Sequence, residues 1–286
     1  MMPTLRLFLA SSLLAVLPSA FGLTIAGSDL LKPVVEAPLQ QFSQQEGVPV
    51  TLSLEGSQKG LDAVTSGKAP IALIALPRGE QPPADLESTP WAFLVTSVVV
   101  HRDNPVEDMT YNDLIEAFST EGVAESWEAF TSNSSWSIRK LSLHTVRGNS
   151  TVGQEIFKVE VLGERELRAI VRPHDTLATF NRDVRDTFNV LAIMPTTRLP
   201  ENLRAVPVGR GGTQRSFAPN PQNVLFGDYP LQLPFYLVYR RDFAATAEGK
   251  KLLTYLLSDE MAEKLNAADV MPLVESERED RLRRLQ

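Results

Sequence analysis

The sequence predicts an α/β fold, and its apolar patterning carries that prediction. Short apolar runs of strand type alternate with segments of helical periodicity along most of the chain. Residues 71–76 form an unbroken apolar run, as expected for a strand covered on both faces of a largely parallel sheet. Residues 91–100 form a longer one, long enough to cross from one lobe to another.

Each element follows in order. Residues 23–26 read as a strand, Gly27 and Ser28 as a turn, and Val34, Val35, Leu39 and Phe42 as the apolar face of a helix. The pattern repeats at once, with a strand over 48–54, a turn at Glu55, Gly56 and Ser57, and a helix carrying Leu61 and Val64 that ends near Gly67. Both strand-to-helix turns carry a serine. After the long run come Asn104 and Pro105, then a helix that Thr110 can cap, with Leu114, Ile115 and Phe118 facing inward. Residues 139–146 read as a strand, the segment from Ser150 or Thr151 to Leu162 as a helix, and 190–193 as another buried strand. Between Thr196 and Phe226 the pattern weakens, and Gly209, Gly211, Gly212, Pro219 and Pro221 suggest an extended surface loop. Regular structure resumes with a strand over 230–239 and helices over 248–257 and 259–265. The end alternates acid and base and reads as a solvated tail, with a docking helix as the alternative.

Composition bounds the function. Of 286 residues, 43% are hydrophobic, enough for a real core. The 28 basic and 35 acidic residues give a formal charge of −7, which disfavours broad binding to nucleic acid or anionic membranes. An anion can still bind where local donors and positive charge outweigh the global field. The sequence has no cysteine, so disulfides, thiolate metal sites, thiol nucleophiles and a lipid-bearing cysteine are all excluded.

Residues 1–22 have the character of a cleavable signal peptide: Arg6, an apolar run over 7–17, and small residues around Ser19 and Ala20. The run is too short to span a bilayer stably, and cleavage is expected between Ala20 and Leu23; an uncleaved anchor or buried helix is the alternative. The mature chain is then expected to be a monomer, free in the periplasm or secreted, and one unit more negative for the loss of Arg6.

The ordered pieces resemble a known family. Ile25, Ala26, Gly27, Ser28 and Pro33 are similar to its opening glycine-serine motif, and Gly56, Ser57 and Gly60 to its second motif. Residues 97–105, Tyr111, Asn112, Phe118 and Trp127 resemble its crossing strand, the following helix and a tryptophan beyond it. Arg147, Gly148, Asn149, Ser150 and Thr151 resemble its arginine-plus-hydroxyl motif, and residues 229–236, 253–260 and 270–273 its carboxy-terminal signature. Together they resemble the phosphate-binding members of the type II periplasmic binding proteins, soluble receptors that hand ligands to ABC importers. The resemblance implies two α/β lobes with a ligand cleft between them. Lobe 1 would take residues 23–96 plus 236–273, lobe 2 residues 97–235, and the charged tail 274–286. It also implies inorganic phosphate or another small oxyanion as ligand, an ABC permease as partner, no cofactor, and ligand-binding roles for Ser28, Ser57, Arg147, Ser150 and Thr151.

Chemistry supports such a set. An oxyanion is held well by the unpaired amides of helix N-termini, by hydroxyls and by a guanidinium. Each serine or threonine also reads as a plain N-cap, Arg147 as a surface arginine, and Lys59 as either a helper or a solvated side chain. The departures from the family pattern bear on specificity. Leu30 stands where the family commonly has a hydroxyl residue, and Ala75 where it has an aspartate able to accept the proton of hydrogen phosphate. Asp29 or Glu55 could substitute, although both also read as ordinary helix-dipole or strand-end residues. Thr151, Val152 and Gly153 depart from the serine-glycine-threonine order.

The three histidines, His101, His144 and His174, lie far apart without metal-ligand spacing, and no serine sits in a nucleophile-elbow sequence, so an enzyme is not expected. The alternative is a degenerate binding-protein fold serving as an envelope interaction or sensory module without transport.

Overall fold

The computed structural model describes residues 22–76, 79–80, 82–148 and 152–285. The chain opens with β1 (Leu23–Gly27), a 3-10 turn over Asp29–Leu31, and α1 (Lys32–Glu46). Pro33 suits the first turn of α1, Val35, Leu39 and Phe42 form its buried face, and Gly47 ends it with a left-handed φ of 64°. Then follow β2 (Val50–Leu54), α2 (Ser57–Thr65), β3 (Ile71–Ala75), β4 (Glu87–Val95) and β5 (Ser97–His101). The long apolar run is therefore two strands, broken at Thr96, and not one.

Further along lie β6 (Met109–Thr110), α3 (Tyr111–Phe118), the short α4 (Ser134–Ser137), β7 (Ser142–Val146) and α5 (Val152–Phe157), which runs into a π-turn over Lys158–Leu162. Thr110 and Asp113 form a capping box at the start of α3, satisfying two orphan amides reciprocally. Next come β8 (Arg172–His174), α6 (Leu177–Val184), β9 (Val190–Met194), β10 (Leu203–Ala205), β11 (Val208–Gly209) and α7 (Pro221–Leu225). The stretch from 196 to 226 is thus not one extended loop. The chain closes with β12 (Gln232–Tyr239), α8 (Arg241–Ala244), α9 (Ala247–Leu256), α10 (Asp259–Ala267), β13 (Met271–Pro272) and α11 (Glu275–Leu285).

The strands build two lobes. The first sheet has six strands in the order β13-β4-β12-β3-β1-β2, the second five in the order β10-β5-β9-β7-β8, and β11 pairs with β6 alone. In the first sheet β1 runs parallel to β2 and β3, whereas β12 is antiparallel to β3 and β4. β12 begins at Gln232, so residues 232–235 belong to the first sheet. In the second, β7 runs parallel to β8 and β9, and β5 antiparallel to β9 and β10. Trp91, Trp127, Tyr229, Phe118, Phe157, Phe180 and Phe235 are the largest fully buried side chains, and buried aromatic area of this kind dominates core stability. Trp91 also donates its Nε1–H to Leu256 O at 2.7 Å, joining β4 to α9.

Strand direction locates the cleft. β3 and β4 share one direction because each is antiparallel to β12, so the carboxyl ends of β1, β2, β3 and β4 lie at one edge. β4 leaves that edge through Thr96 into β5, whose Ser97 pairs with Met194 at the carboxyl end of β9. The parallel strands of both sheets therefore end toward the crossing point, where open α/β sheets present ligand-binding loops. Thr96 fastens it: its N–H donates to Leu231 O at 2.9 Å, its Oγ1 to Gly153 O at 2.8 Å, and its carbonyl accepts the Tyr229 hydroxyl at 2.6 Å.

Candidate functional site

On the first lobe, the turn after β1 is built on glycine. Gly27 has φ 144°, and a Cβ there would stand 2.0 Å from Leu73 O. One added to Gly60 would stand 2.6 Å from Gly27 Cα, so the first turn of α2 packs directly on the end of β1. Backbone bonds lock the arrangement, Ser28 N–H to Leu73 O at 2.7 Å and Gly56 N–H to Gly27 O at 2.9 Å. Ser28 is buried and caps the 3-10 turn, its Oγ accepting the Leu30 amide at 3.3 Å. Its own O–H is left to donate.

Ser57 is the first residue of α2; the cap position belongs to Gly56. The Ser57 Oγ accepts the Ala75 amide at 2.9 Å, tying the end of β3 to the start of α2 and leaving its hydroxyl hydrogen to point elsewhere. The first bond closing the helix runs from Gly60 N–H to Gly56 O at 3.0 Å, so the amides of Ser57, Gln58 and Lys59 precede the helix's own ladder. That is the donor geometry an anion requires. The Lys59 ammonium pairs with Glu55 at 3.2 Å, and both are largely exposed. Glu55 also accepts from Ser53 Oγ, and the hydrogen bonds from Lys59 and Ser53 hold its carboxyl below the usual range. Leu30, in the 3-10 turn after β1, is 38% exposed.

On the second lobe, Arg147 follows β7. Its amide donates to His174 O at 2.8 Å, and its guanidinium, 56% exposed, pairs with Asp175 at 3.4 Å. Gly148 has a left-handed φ of 64° against Pro195, and Gly153 packs where a Cβ would meet the Pro195 Cβ at 2.4 Å. Ser150 and Thr151 lie outside the described residues, as do residues 1–21 of the expected signal segment. Sequence reasoning missed one association: His144 and His174, taken as scattered, are hydrogen-bonded at 2.9 Å on neighbouring strands. Only a reading of β8 beside β7 could have found it. Among the described residues no group of three histidine, cysteine or carboxylate side chains could hold a metal ion. A cavity of about 550 Å³ opens elsewhere, between α11 and β4, with Thr89, Tyr239 and Arg281 in its lining.

A family model described as a PBP superfamily domain matches residues 15–260. The chain belongs to the PBP superfamily. Solved structures agree on the fold of this PBP-superfamily protein. One is the "possible phosphate binding protein" from Planctomyces limnophilus, 18% identical with a TM-score of 0.67, the match covering 92% of this chain and 97% of that one. Another is an ABC-type phosphate transport receptor from Vibrio cholerae, 17% identical with a TM-score of 0.61, covering 87% and 99%. PstS from Borrelia burgdorferi is 12% identical with a TM-score of 0.64, covering 88% and 98%. No curated protein matches. No helix among the described residues is long and apolar enough to cross a membrane.

Proposed function

We propose that this PBP-superfamily protein is an exported, monomeric receptor that holds a small oxyanion in its cleft, phosphate first among the candidates, and delivers it to an ABC permease without chemical conversion. The observation that carries the reading is the convergence of strand ends on Thr96. The Ser57, Gln58 and Lys59 amides of α2 on one lobe, and Arg147 and the start of α5 on the other, each follow strands whose carboxyl ends point toward that crossing, which supports a shared site. Dipole, amides, hydroxyls and a guanidinium are the groups that recognise a tetrahedral anion. Ser28, Ser57 and Arg147 are the proposed ligands among the described residues, with Ser150 and Thr151 completing the set. Two structural relatives are a possible phosphate binding protein and an ABC-type phosphate transport receptor, which supports phosphate as the first ion to test.

The experiment is a thermal-shift panel with phosphate, sulfate, arsenate, molybdate and a phosphonate. A ligand that binds only the folded state at one hundred times its Kd adds about 2.7 kcal/mol, a clear rise in Tm. Arg147→Ala should abolish that rise, and a flat response to every anion at millimolar concentration would sink the reading. A second reading, an envelope interaction or sensory module without transport, is favoured by Leu30 and Ala75 at the family's hydroxyl and aspartate positions and by Asp175, which offers Arg147 a carboxylate partner of its own. A Tm unmoved by anions together with capture of an envelope protein would support it.

A further inference from the structure

The second lobe contains a polar chain that the cleft reading does not use. Ser142 and His144 lie on β7, His174 on β8 and Asp183 on α6. Ser142 Oγ stands 2.8 Å from His144 Nε2, and His144 Nδ1 stands 2.9 Å from His174 Nε2. His174 Nδ1 faces Asp183 Oδ2 at 3.6 Å. The two buried imidazoles stack with centroids 5.1 Å apart, and Phe180 meets both edge-on.

The direction of donation follows from the carboxylate. Asp183 favours a hydrogen on His174 Nδ1, so neutral His174 offers Nε2 as an acceptor. His144 must then donate from Nδ1, which leaves its Nε2 to accept the Ser142 hydroxyl. With both rings neutral, the two hydrogen bonds run in a single direction, and the His174 Nδ1–H faces the Asp183 carboxylate at 3.6 Å. One added proton fits if His174 becomes a double donor beside Asp183, His144 moves its hydrogen to Nε2, and Ser142 turns acceptor. A second proton sets two N–H groups against each other across the 2.9 Å contact, and the bond breaks.

The chain is tied to the rim of the cleft through the backbone. His174 O accepts the Arg147 amide at 2.8 Å, and the register pairs His144 with Arg172 and Val146 with His174. We propose that Ser142, His144, His174 and Asp183 form a proton-operated latch that, when neutral, clamps β8 and α6 to β7 and fixes the backbone of Arg147, and that releases this edge of the second lobe when doubly protonated. Burial, more than the surrounding charges, favours the neutral state. Burial lowers the His144 pKa from 6.5 to about 4, with His174 and Arg172 adding repulsion and Asp183 opposing. Burial also lowers that of His174, where Asp183 opposes it and Arg172 and Arg182 reinforce it. At the rim itself, Asp175 pairs with Arg147. Any effect of the latch on a bound anion rests on the oxyanion reading; its effect on the backbone does not.

The test is an NMR pH titration of the full mature protein labelled with 15N, following imidazole and amide nitrogens together. At pH 7.5 both His144 and His174 should carry hydrogen on Nδ1 and none on Nε2. The pair should titrate below the ordinary 6.5 in two coupled steps. The second step should bring about a tenfold or greater loss of hydrogen-exchange protection at the Arg147 amide, after correction for intrinsic exchange. His144→Phe, which keeps a ring against Phe180 but removes both hydrogen bonds of the chain, should lower Arg147 amide protection already at pH 7.5 and abolish its further loss on acidification. Two ordinary imidazoles titrating near 6.5, an Arg147 amide protected through both steps, or an unchanged response in His144→Phe would each overturn the latch. Should the variant fail to fold, the wild-type ring and amide titrations decide alone. A parallel anion titration separates the two readings: latch opening without anion binding leaves the latch standing and removes the oxyanion.

Discussion

At the scale of single residues, Gly27 shows what the first turn demands. Its φ of 144° and the Leu73 carbonyl leave no place for a Cβ. Gly27→Ala should therefore cost about 3 kcal/mol, read as a lower urea midpoint at unchanged m-value. Gly60→Ala should act in the same direction, because its Cβ would meet Gly27 backbone and not a side chain that can move. The histidine pair sets the pH dependence. The unfolded chain binds protons on these imidazoles around 6.5, whereas folding lowers the pKa of both, that of His144 to about 4. Below 6.5 the unfolded state is thus the better proton acceptor, so their contribution is complete above that pH and is lost as pH falls toward 4. Urea midpoints measured between pH 7.5 and 4.5 should decline over that range, and the slope should flatten in His144→Phe. A midpoint independent of pH would show that the pair is not held neutral by the fold.

At the scale of elements, the charged end of the chain forms a docked helix. Arg278 is buried at 9% exposure, donates to Leu273 O at 2.6 Å and pairs with Asp259, while Arg281 donates to Thr89 Oγ1 on β4. Leu282 and Leu285 pack against the core. Removing residues 274–286 should cost at least about 2 kcal/mol, seen as a fall of several degrees in Tm; no change would reduce α11 to decoration. Legibility differed from element to element for physical reasons. The cap at Thr110 is a local device and could be read directly, although its reciprocal bond from Asp113 appears only in the structure. β8 could not, since its residues Arg172 and Pro173 are exposed and it is held by pairing with β7 rather than by any apolar alternation of its own. The break at Thr96 was hidden because strands on either side are buried and apolar alike. α11 is readable only as the alternative to a solvated tail: its apolar contribution is confined to Leu282 and Leu285, and its buried face includes arginine, whose stem packs while its head finds carbonyl and carboxylate partners.

At the scale of the whole molecule, family and two-lobed architecture were legible because they rest on motifs spread in order along the chain. The candidate site was legible only as residue types. What Ser57 and Arg147 touch depends on contacts with Ala75 and Asp175, which no local pattern announces. The lobes meet through Thr96, so Thr96→Val, which keeps shape and removes the bond to Gly153 O, should cost about 1–2 kcal/mol and raise amide exchange in α5 more than in α9. Equal effects on both helices would show that this bond does not couple the lobes. One consequence concerns time. β12 lies between β4 and β3 in the first sheet yet is made of residues 232–239, so that sheet has a gap in its middle until nearly the whole chain has been synthesised. The second sheet draws all its strands from residues 97–205 and waits for nothing later. In pulse-labelled refolding, amides of β7 and β9 should gain protection before those of β1 and β3, and the reverse order would refute the scheme. The two lobes therefore come into being at different times: a chain cut anywhere between residues 206 and 231 would keep every strand of the second sheet and lack the strand that joins β3 to β4 in the first.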